Sequence, residues 1–300
     1  MRNYRIYQVD AFTSEKFKGN PAGVVSNADG LTDPEMQRIA RELNNSETAF
    51  ILRPTTSDHD VHIRFFTPTT EVPSCGHATI SAHYVRAIEM RLPTCTVVQK
   101  IGIGILPVEI FELAGDYRIV MTQGAIEFSS PFTGATRRDI VDALRLSETD
   151  LDPRCPIQIV STGHSKVLVG IRSRQVLNAM TPNLTRLTEL SELIGCKGYF
   201  VFTFDSAIPG ILTSGRMFAP AIGIPEDPVT GNANGPLGAY IVHHKLIKNP
   251  GSKLIFSALQ GEAIGRPGVV EVQVDHRDGI PTTVRVGGRA VIVFSAEMVF

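Results

Sequence analysis

The chain has 300 residues, of which 43% are hydrophobic and 20% are charged, a balance that suits one large globular domain or two ordinary ones. Its 29 Lys and Arg residues nearly balance 30 Asp and Glu residues, which argues against nucleic acid or an anionic membrane as a partner. The N-terminal sequence lacks the apolar stretch of a signal peptide and no run of about 18 apolar residues occurs, so we expect a cytoplasmic protein.

Two hydrophobic periodicities predict a mixture of helices and strands. Residues 33–44 place apolar side chains on one face at helical spacing, with Asp33 as the candidate N-cap and Pro34 in the first turn. Apolar and polar residues alternate over 61–65 and again over 270–274, which is the period of a strand. The chain is therefore expected to be of the α+β class.

An internal repeat predicts two similar halves. The pattern R-x-F-x-P followed by E-x-P-x-x-G-x-A occurs at Arg64 to Ala78 and, with a short insertion, at Arg216 to Ala233. Ordered matches over this many positions disfavour chance similarity. A stretch rich in Gly, Ser, Pro and Thr at 124–136 lies between the copies and marks the expected junction of the halves.

Each copy of the repeat ends in a glycine that opens a predicted helix. These helices cover 76–87 and 231–244, beginning at Gly76 and Gly231. The free N–H groups and the dipole at a helix start attract an anion, and glycine allows close approach of a ligand. Tight turns without a ligand would have the same sequence, but the duplication favours two helix starts that hold one small carboxylate.

Polar residues collect around these turns, and one of them is a candidate acid or base. Glu47 lies between polar Asn44-Asn45-Ser46 and an apolar segment, where a strand would enter the core. Such a carboxyl group can serve as a general acid or base, although a helix-capping or ion-pairing role would place a glutamate there equally well. The polar candidates are Asn20, Glu47, His77, Asp227 and Asn232.

At these residues the sequence resembles the PhzF family, named for phenazine biosynthesis, and its YddE-like members in particular. The resemblance runs nearly end to end and is carried by four ordered motifs, at 9–25, 36–50, 65–79 and 215–240. Four motifs in order are far more specific than one short pattern. The resemblance implies a diaminopimelate-epimerase-like fold, in which two pseudo-symmetric lobes each wrap a mostly antiparallel curled sheet around a central helix.

The resemblance also implies how the lobes divide the chain. We expect an N-terminal lobe of residues 1–118 completed by a C-terminal strand at about 289–300, and a C-terminal lobe of residues 119–288, with the active site between them. A homodimer is the default expectation for a small enzyme.

The family's site residues carry over to named positions of this chain. The resemblance implies that Glu47 is the proton-transferring acid and base, with His77 and Asp227 as its partners in positioning substrate or relaying protons. A serine of the family falls on Asn232, which keeps hydrogen-bonding capacity but lacks a hydroxyl group. Substrate contacts are expected from Asn20, Gly76, Gly231 and Asn232.

Two alternatives remain open at this point. A two-base racemase of the same fold needs a thiol on each face of the substrate carbon, and Cys75 has Thr230 as its counterpart in the second copy. A protein that binds a small molecule without catalysis would keep the cleft but would not need Glu47, His77 and Asp227 together. The four cysteines are scattered and expected to be free thiols.

The sequence thus predicts an isomerase that moves a proton between carbons of a small carboxylic acid, without a metal or other cofactor. No complete dinucleotide-binding or P-loop motif is present, and the histidines lack the spacing of metal ligands.

Overall fold

The computed structural model describes residues 1–248 and 251–299 and divides the chain into two compact units. The first unit combines Met1–Thr122 with Gly287–Phe300, and the second consists of Gln123–Val286. No helix within the described part of the chain is long and apolar enough to span a membrane.

Among its described residues, the first unit contains nine strands, one of them shared with the second unit, and two helices. Its strands are β1 (Asn3–Ala11), β2 (Asn20–Val25), β3 (Thr48–Leu52), β4 (Val61–Phe66), β5 (Glu71–Val72), β6 (Cys95–Ile101), β7 (Gly104–Leu113), β8 (Asp116–Thr122) and the later part of β17 (Ile280–Val299). Its helices are α1 (Asp33–Leu43) and α2 (Gly76–Met90).

The strands of the first unit form a closed ring. The pairing runs through β1, β2, β3, β4, β6, β7 and β8, and β17 pairs with both β8 and β1. The pairs β2–β3 and β4–β6 are parallel, whereas β1–β2, β3–β4, β6–β7, β7–β8 and β1–β17 are antiparallel. Helix α2 contacts β1, β2, β3 and β8 and is buried along most of its length, as its largely apolar sequence predicts.

Helix α1 confirms the predicted amphipathic helix but not its predicted cap. Met36, Ile39 and Ala40 are buried on one face. The N-cap is Thr32, whose backbone N–H donates to the Glu35 carboxylate at 2.8 Å in a capping box, so the expectation of Asp33 was wrong. Asp33 is the first helical residue, and the hydrogen bond from Arg64 lowers the pKa of its carboxyl group.

The second unit contains the remaining strands and helices. Its strands are β9 (Glu127–Phe128), β10 (Gln158–Ser161), β11 (Lys166–Ile171), β12 (Tyr199–Thr203), β13 (Ile211–Ala219), β14 (Ile224–Asp227), β15 (Lys253–Gln260), β16 (Gly268–Arg277) and the beginning of β17. Its α-helices are α3 (Gly134–Ala143), α4 (Arg174–Ala179), α5 (Leu184–Ile194) and α6 (Gly231–His243), and short 3₁₀ turns occur at Pro220–Ile222 and Glu262–Ile264.

The second unit repeats the order of pairing found in the first. The pairs β10–β11, β12–β13, β13–β14 and β15–β16 are antiparallel, and β11–β12 and β13–β15 are parallel. The succession from β2 to β7 around α2 therefore matches the succession from β11 to β16 around α6. Helix α6 contacts β10, β11, β15 and β16 and is also buried along most of its length. The predicted helix starts at Gly76 and Gly231 are confirmed.

The repeated Arg, Phe and Glu form the same structural clamp in each unit. Arg64 donates from Nε and Nη2 to the two oxygens of Glu71, both at 2.7 Å, and its guanidinium lies 5.1 Å from the ring centre of Phe66. Arg216 forms the equivalent bidentate pair with Glu226, at 2.9 and 2.7 Å, and lies 5.0 Å from the ring centre of Phe218. These pairs join β4 to β5 and β13 to β14, so this part of the motif holds the turn before each helix.

Candidate active site

Glu47 lies immediately before β3, with its backbone anchored to β2. Its carbonyl oxygen accepts a hydrogen bond from Gly23 N–H at 3.3 Å, and the next residue, Thr48, is fully buried. The Glu47 side chain is 15% exposed. The carboxylate therefore projects from a fixed backbone at the edge of the first unit's core, as the sequence suggested.

His77 lies in the first turn of α2 and points its Nε2 atom at Glu47. The distance from His77 Nε2 to Glu47 Oε2 is 3.4 Å, and Ser46 Oγ lies 3.3 Å from the same nitrogen. Glu47 Oε2 is buried and makes no hydrogen bond within the described residues. The lone pairs of this oxygen are thus available to take up a proton, with an imidazole adjacent that can pass one on.

Cys75 is the N-cap residue of α2 and is buried beside the imidazole of His77. Its Sγ atom lies 3.5 Å from Nδ1 and 4.0 Å from Nε2 of that ring. The ligand atoms of Glu47, Cys75 and His77 all lie within 4.8 Å of one another. Nearly equal distances to the two ring nitrogens place the sulfur beside the ring and along neither nitrogen lone pair, so these rotamers do not form a tetrahedral metal site.

In the second unit, a hydrogen-bond network holds Asp227 at the end of β14. The Thr230 hydroxyl donates to the Asp227 carboxylate. Gln260 Nε2 donates to the Asp227 carbonyl at 2.8 Å and to Thr230 Oγ1 at 3.0 Å, while Gln260 Oε1 accepts from Thr230 N–H and Asn234 Nδ2, both at 3.0 Å. Asp227 is thereby fixed four residues before Gly231, the first residue of α6.

Both helix starts lack a side-chain cap. The N-cap residues of α2 and α6 are Cys75 and Thr230, and neither side chain accepts a hydrogen bond from its helix. The Thr230 hydroxyl is instead directed to Asp227. Uncapped N–H groups at a helix start are donors that can bind an anion, and the roles of Gly76 and Gly231 in binding substrate stay predictions.

A half-buried lysine, Lys166, lies near Asp227 and was not anticipated from the sequence. Burial lowers the pKa of Lys166, and the charge of Asp227 partly opposes that effect. Its aliphatic stem fits against Gly198, where a Cβ atom would lie 2.7 Å from Lys166 Cδ. Partial desolvation also lowers the pKa of His164, although this residue is exposed, and the charge of Lys166 acts in the same direction. The second unit therefore holds a half-buried ammonium group near Asp227.

The structure locates every predicted site residue and brings some of them together. Glu47 and His77 are neighbours in the first unit, and Asn20 is buried at the start of β2 in the same unit. Gly231 and Asn232 open α6, close in sequence to Asp227. The side chains that orient these groups were missed: Ser46, Gln123, Thr230 and Gln260. Of these four, only Ser46 and Thr230 could have been found from the sequence, because they are polar residues within the four motifs of the family resemblance.

Comparison with known proteins identifies related chains over the whole length. The family model described as phenazine biosynthesis-like protein, PhzC-PhzF, matches residues 9–296. An uncharacterized isomerase of Clostridium acetobutylicum is 57% identical, covering 100% of this chain and 99% of the relative. The uncharacterized isomerase YddE of Escherichia coli K12 is 51% identical, covering 98% and 97%. The trans-2,3-dihydro-3-hydroxyanthranilate isomerase of Pseudomonas chlororaphis is 33% identical, covering 97% of each chain.

Solved structures show the same fold. A PhzF-family phenazine biosynthesis protein of Bacillus anthracis superposes with a TM-score of 0.88 at 32% identity, covering 100% of both chains. A hydroxyproline epimerase of Agrobacterium vitis superposes with a TM-score of 0.64 at 13% identity, covering 99% of this chain and 92% of the other. At that identity the second match shows a shared fold and no more.

Proposed function

Because the chain belongs to the PhzC-PhzF family and is an isomerase, we propose that it moves a proton between carbons of a small carboxylic acid with Glu47 as general acid and base. The observation that carries this proposal is the buried Glu47 Oε2, which has no hydrogen-bond partner in the described residues and lies 3.4 Å from His77 Nε2. A proton acceptor beside an imidazole suits proton abstraction next to a carbonyl or carboxyl group.

In the proposed reaction one carboxylate serves both steps. Glu47 takes a proton from a substrate carbon, the electron pair left behind shifts through the adjacent double bond, and Glu47 returns the proton to a second carbon. His77 stabilises the negative charge that develops during the transfer. The uncapped start of α2 at Gly76 and that of α6 at Gly231 hold acidic oxygens of the substrate, and no redox or metal step is required.

Other assignments belong to the same proposal. We assign Asp227 to substrate positioning because its carboxylate is fixed by Thr230 and its backbone by Gln260. Asn20 and Asn232 are assigned to substrate binding. The diaminopimelate-epimerase-like lobe description and a homodimer are also proposed, and sedimentation velocity measures the latter.

The test is carbon–deuterium exchange in deuterated water with a panel of cellular carboxylic acids. The panel includes trans-2,3-dihydro-3-hydroxyanthranilate, the compound in the name of the Pseudomonas relative. Loss of a general base commonly costs about 10²- to 10⁴-fold in rate, so Glu47→Gln is expected to reduce exchange by about 10³-fold. The matched control, Glu42→Gln, makes the same chemical change at an exposed position of α1 and should leave the rate unaltered.

The main rival is a racemase that uses two thiols. Cys75 is buried beside His77, but its counterpart Thr230 carries a hydroxyl that donates to Asp227. Cys75→Ala separates the two mechanisms: proton transfer by Glu47 survives the change, whereas a thiol-dependent reaction is abolished. Exchange that persists in Glu47→Gln and disappears in Cys75→Ala would establish the rival. Binding of an acid without any exchange would instead contradict both.

A further inference from the structure

The side chain of Asn232, a position at which the family resemblance implies a serine, is held by a glutamine far away in the sequence. Gln123 Nε2 donates to Asn232 Oδ1 and to the Gly231 carbonyl oxygen, both at 3.1 Å. The Thr162 hydroxyl donates to Gln123 Oε1 at 2.7 Å. All of these residues belong to the second unit.

The chemistry of these partners fixes the orientation of both amide groups. A backbone carbonyl can only accept, so Gln123 must face Gly231 with its NH₂ group. Because that same NH₂ group can only donate, Asn232 must face Gln123 with Oδ1. The Nδ2 atom of Asn232 is thereby turned away from Gln123, and it donates to no acceptor among the described residues.

The position of Gln123 is itself built into the fold. A Cβ atom at Gly235 would lie 1.8 Å from Gln123 Oε1, so the carboxamide occupies space that exists only because residue 235 is glycine. The backbone N–H of Gln123 donates to the Val284 carbonyl at 2.9 Å. The glutamine is therefore anchored at its backbone and at both ends of its amide group.

We propose that Gln123 is a positioning residue that makes Asn232 an obligate hydrogen-bond donor, so that this position selects an acceptor, a substrate carboxylate oxygen. This inference rests on the proposed function and deepens it, because it states what the start of α6 recognises. The first-turn N–H groups of Gly231 and Asn232, which the Thr230 side chain does not cap, add donors beside Nδ2.

The arrangement gives a selectivity that a serine cannot provide. A hydroxyl group donates or accepts and would tolerate either an acidic oxygen or an amino group of a ligand. An amide turned by Gln123 presents only N–H, so an ammonium or amide NH₂ group at this position would face donors without an acceptor. Unpaired donors of this kind weaken binding.

The test uses the full-length protein and two probes of similar size, acetate, which can only accept hydrogen bonds, and methylammonium, which can only donate them. Side-chain amide signals of Asn232 and Gln123 are assigned in the unaltered protein by through-bond correlation to the carbon signals of the same residue, and their loss in Asn232→Asp and Gln123→Met checks the assignment. In the unaltered protein we expect fast solvent exchange of the Asn232 NH₂ protons and slow exchange of the Gln123 NH₂ protons. The chemical shifts of the Asn232 side-chain amide should change more with acetate than with methylammonium. Gln123→Met should weaken acetate binding by about tenfold.

A charge-matched pair isolates the orientation effect. In Gln123→Glu the new carboxylate accepts from Nδ2, so Asn232 should reverse and its NH₂ exchange should slow. Gln175→Glu adds the same charge at an exposed position of the second unit and should change neither signal. Slow exchange of the Asn232 NH₂ in the unaltered protein, or equal responses to the two probes, would overturn the inference even if no variant folds.

These measurements require no turnover, which keeps the two proposals separable. If the Asn232 amide responds to acetate as expected but Glu47→Gln leaves carbon–deuterium exchange unchanged, only the proposed function is rejected. If carbon–deuterium exchange depends on Glu47 but the Asn232 amide does not select acetate, only the role of Gln123 is rejected.

Discussion

At the residue scale, the groups assigned to chemistry are those that the two copies of the repeat do not share. The Arg, Phe and Glu of the motif build the same clamp twice, with nearly the same distances. His77 and Asn232, which follow the two helix-opening glycines, differ in what they can do: an imidazole can transfer a proton, and an amide cannot. The repeat therefore supplies the clamp twice, and the proposed chemistry rests on the residues in which the two copies differ.

One buried residue makes stability depend on pH. His83 of α2 is fully buried, and burial lowers its pKa to about 4, assisted by the charge of Arg86. An unfolded histidine titrates near pH 6.5, so the unfolded state binds the extra proton as pH falls from about 6.5 to about 4. The stabilisation by the neutral ring is complete above pH 6.5 and is lost across this window, by about 3 kcal/mol.

The corresponding variant is His83→Gln, which cannot titrate but can still donate to Gln99 Oε1, the acceptor 3.0 Å from His83 Nε2. Urea unfolding measured at pH 7 and at pH 4.5 should show a smaller loss of unfolding free energy in the variant than in the unaltered protein. An equal loss in both proteins would show that His83 is not the group responsible.

At the scale of the element, the two clamps differ in burial and should therefore contribute different amounts to the unfolding free energy. The side chains of Arg216 and Glu226 are 8% and 12% exposed, against 19% and 44% for Arg64 and Glu71. Arg216 also donates to the carbonyl oxygens of Leu177 and Met180, both at 2.9 Å. Breaking a buried pair leaves an uncompensated charge, whereas water can replace the partner of an exposed one.

This difference predicts unequal effects of one substitution at two equivalent positions. Arg216→Met removes the charge and the carbonyl contacts and leaves the buried Glu226 carboxylate without its partner, so it should lower the unfolding free energy by about 3 kcal/mol. Arg64→Met, its internal control, should cost about 1 kcal/mol. Denaturant unfolding of both variants measures the difference. Equal losses of unfolding free energy would show that burial does not determine how much each clamp stabilises the protein.

The elements also show what sequence could and could not predict. Periodicity predicted α1, β4 and β16, and the repeated glycine turns predicted the starts of α2 and α6, because each signal lies within one short segment. The cap of α1 was misassigned by one residue, since Thr32 and Asp33 are both good capping residues and the choice depends on Glu35 reaching Thr32 N–H.

Candidate site residues could be proposed from sequence where they lie in motifs, whereas contacts that packing makes between distant residues could not be predicted. Glu47, His77 and Asp227 stand in motifs that the family resemblance marks. Gln123 stands 109 residues from Asn232, and its place depends on the missing side chain of Gly235. Likewise Gln260 reaches Asp227 across 33 residues. No local pattern reports such contacts, because they are set by strand pairing and by the space that packing leaves.

At the scale of the whole molecule, the two units differ in how the chain builds them. The second unit is a continuous stretch, Gln123–Val286, with its own buried core that includes Val169, Tyr199 and Phe218. The first unit is discontinuous, because β17 supplies the antiparallel partner of β1 from Asn3↔Val299 to Ala11↔Ala290. Without that strand the ring of the first unit opens, and one edge of β1 loses its hydrogen-bond partners.

This asymmetry predicts different behaviour of two fragments. A fragment of residues 123–286 should unfold cooperatively in urea, because it retains its core and its strand pairs. A fragment of residues 1–122 should fail to do so, and joining residues 287–300 to it through a flexible linker should restore a cooperative transition by returning the partner of β1. A cooperative transition in 1–122 alone would show that the strands preceding residue 123 suffice, and that the C-terminal strand is an addition to a unit already complete.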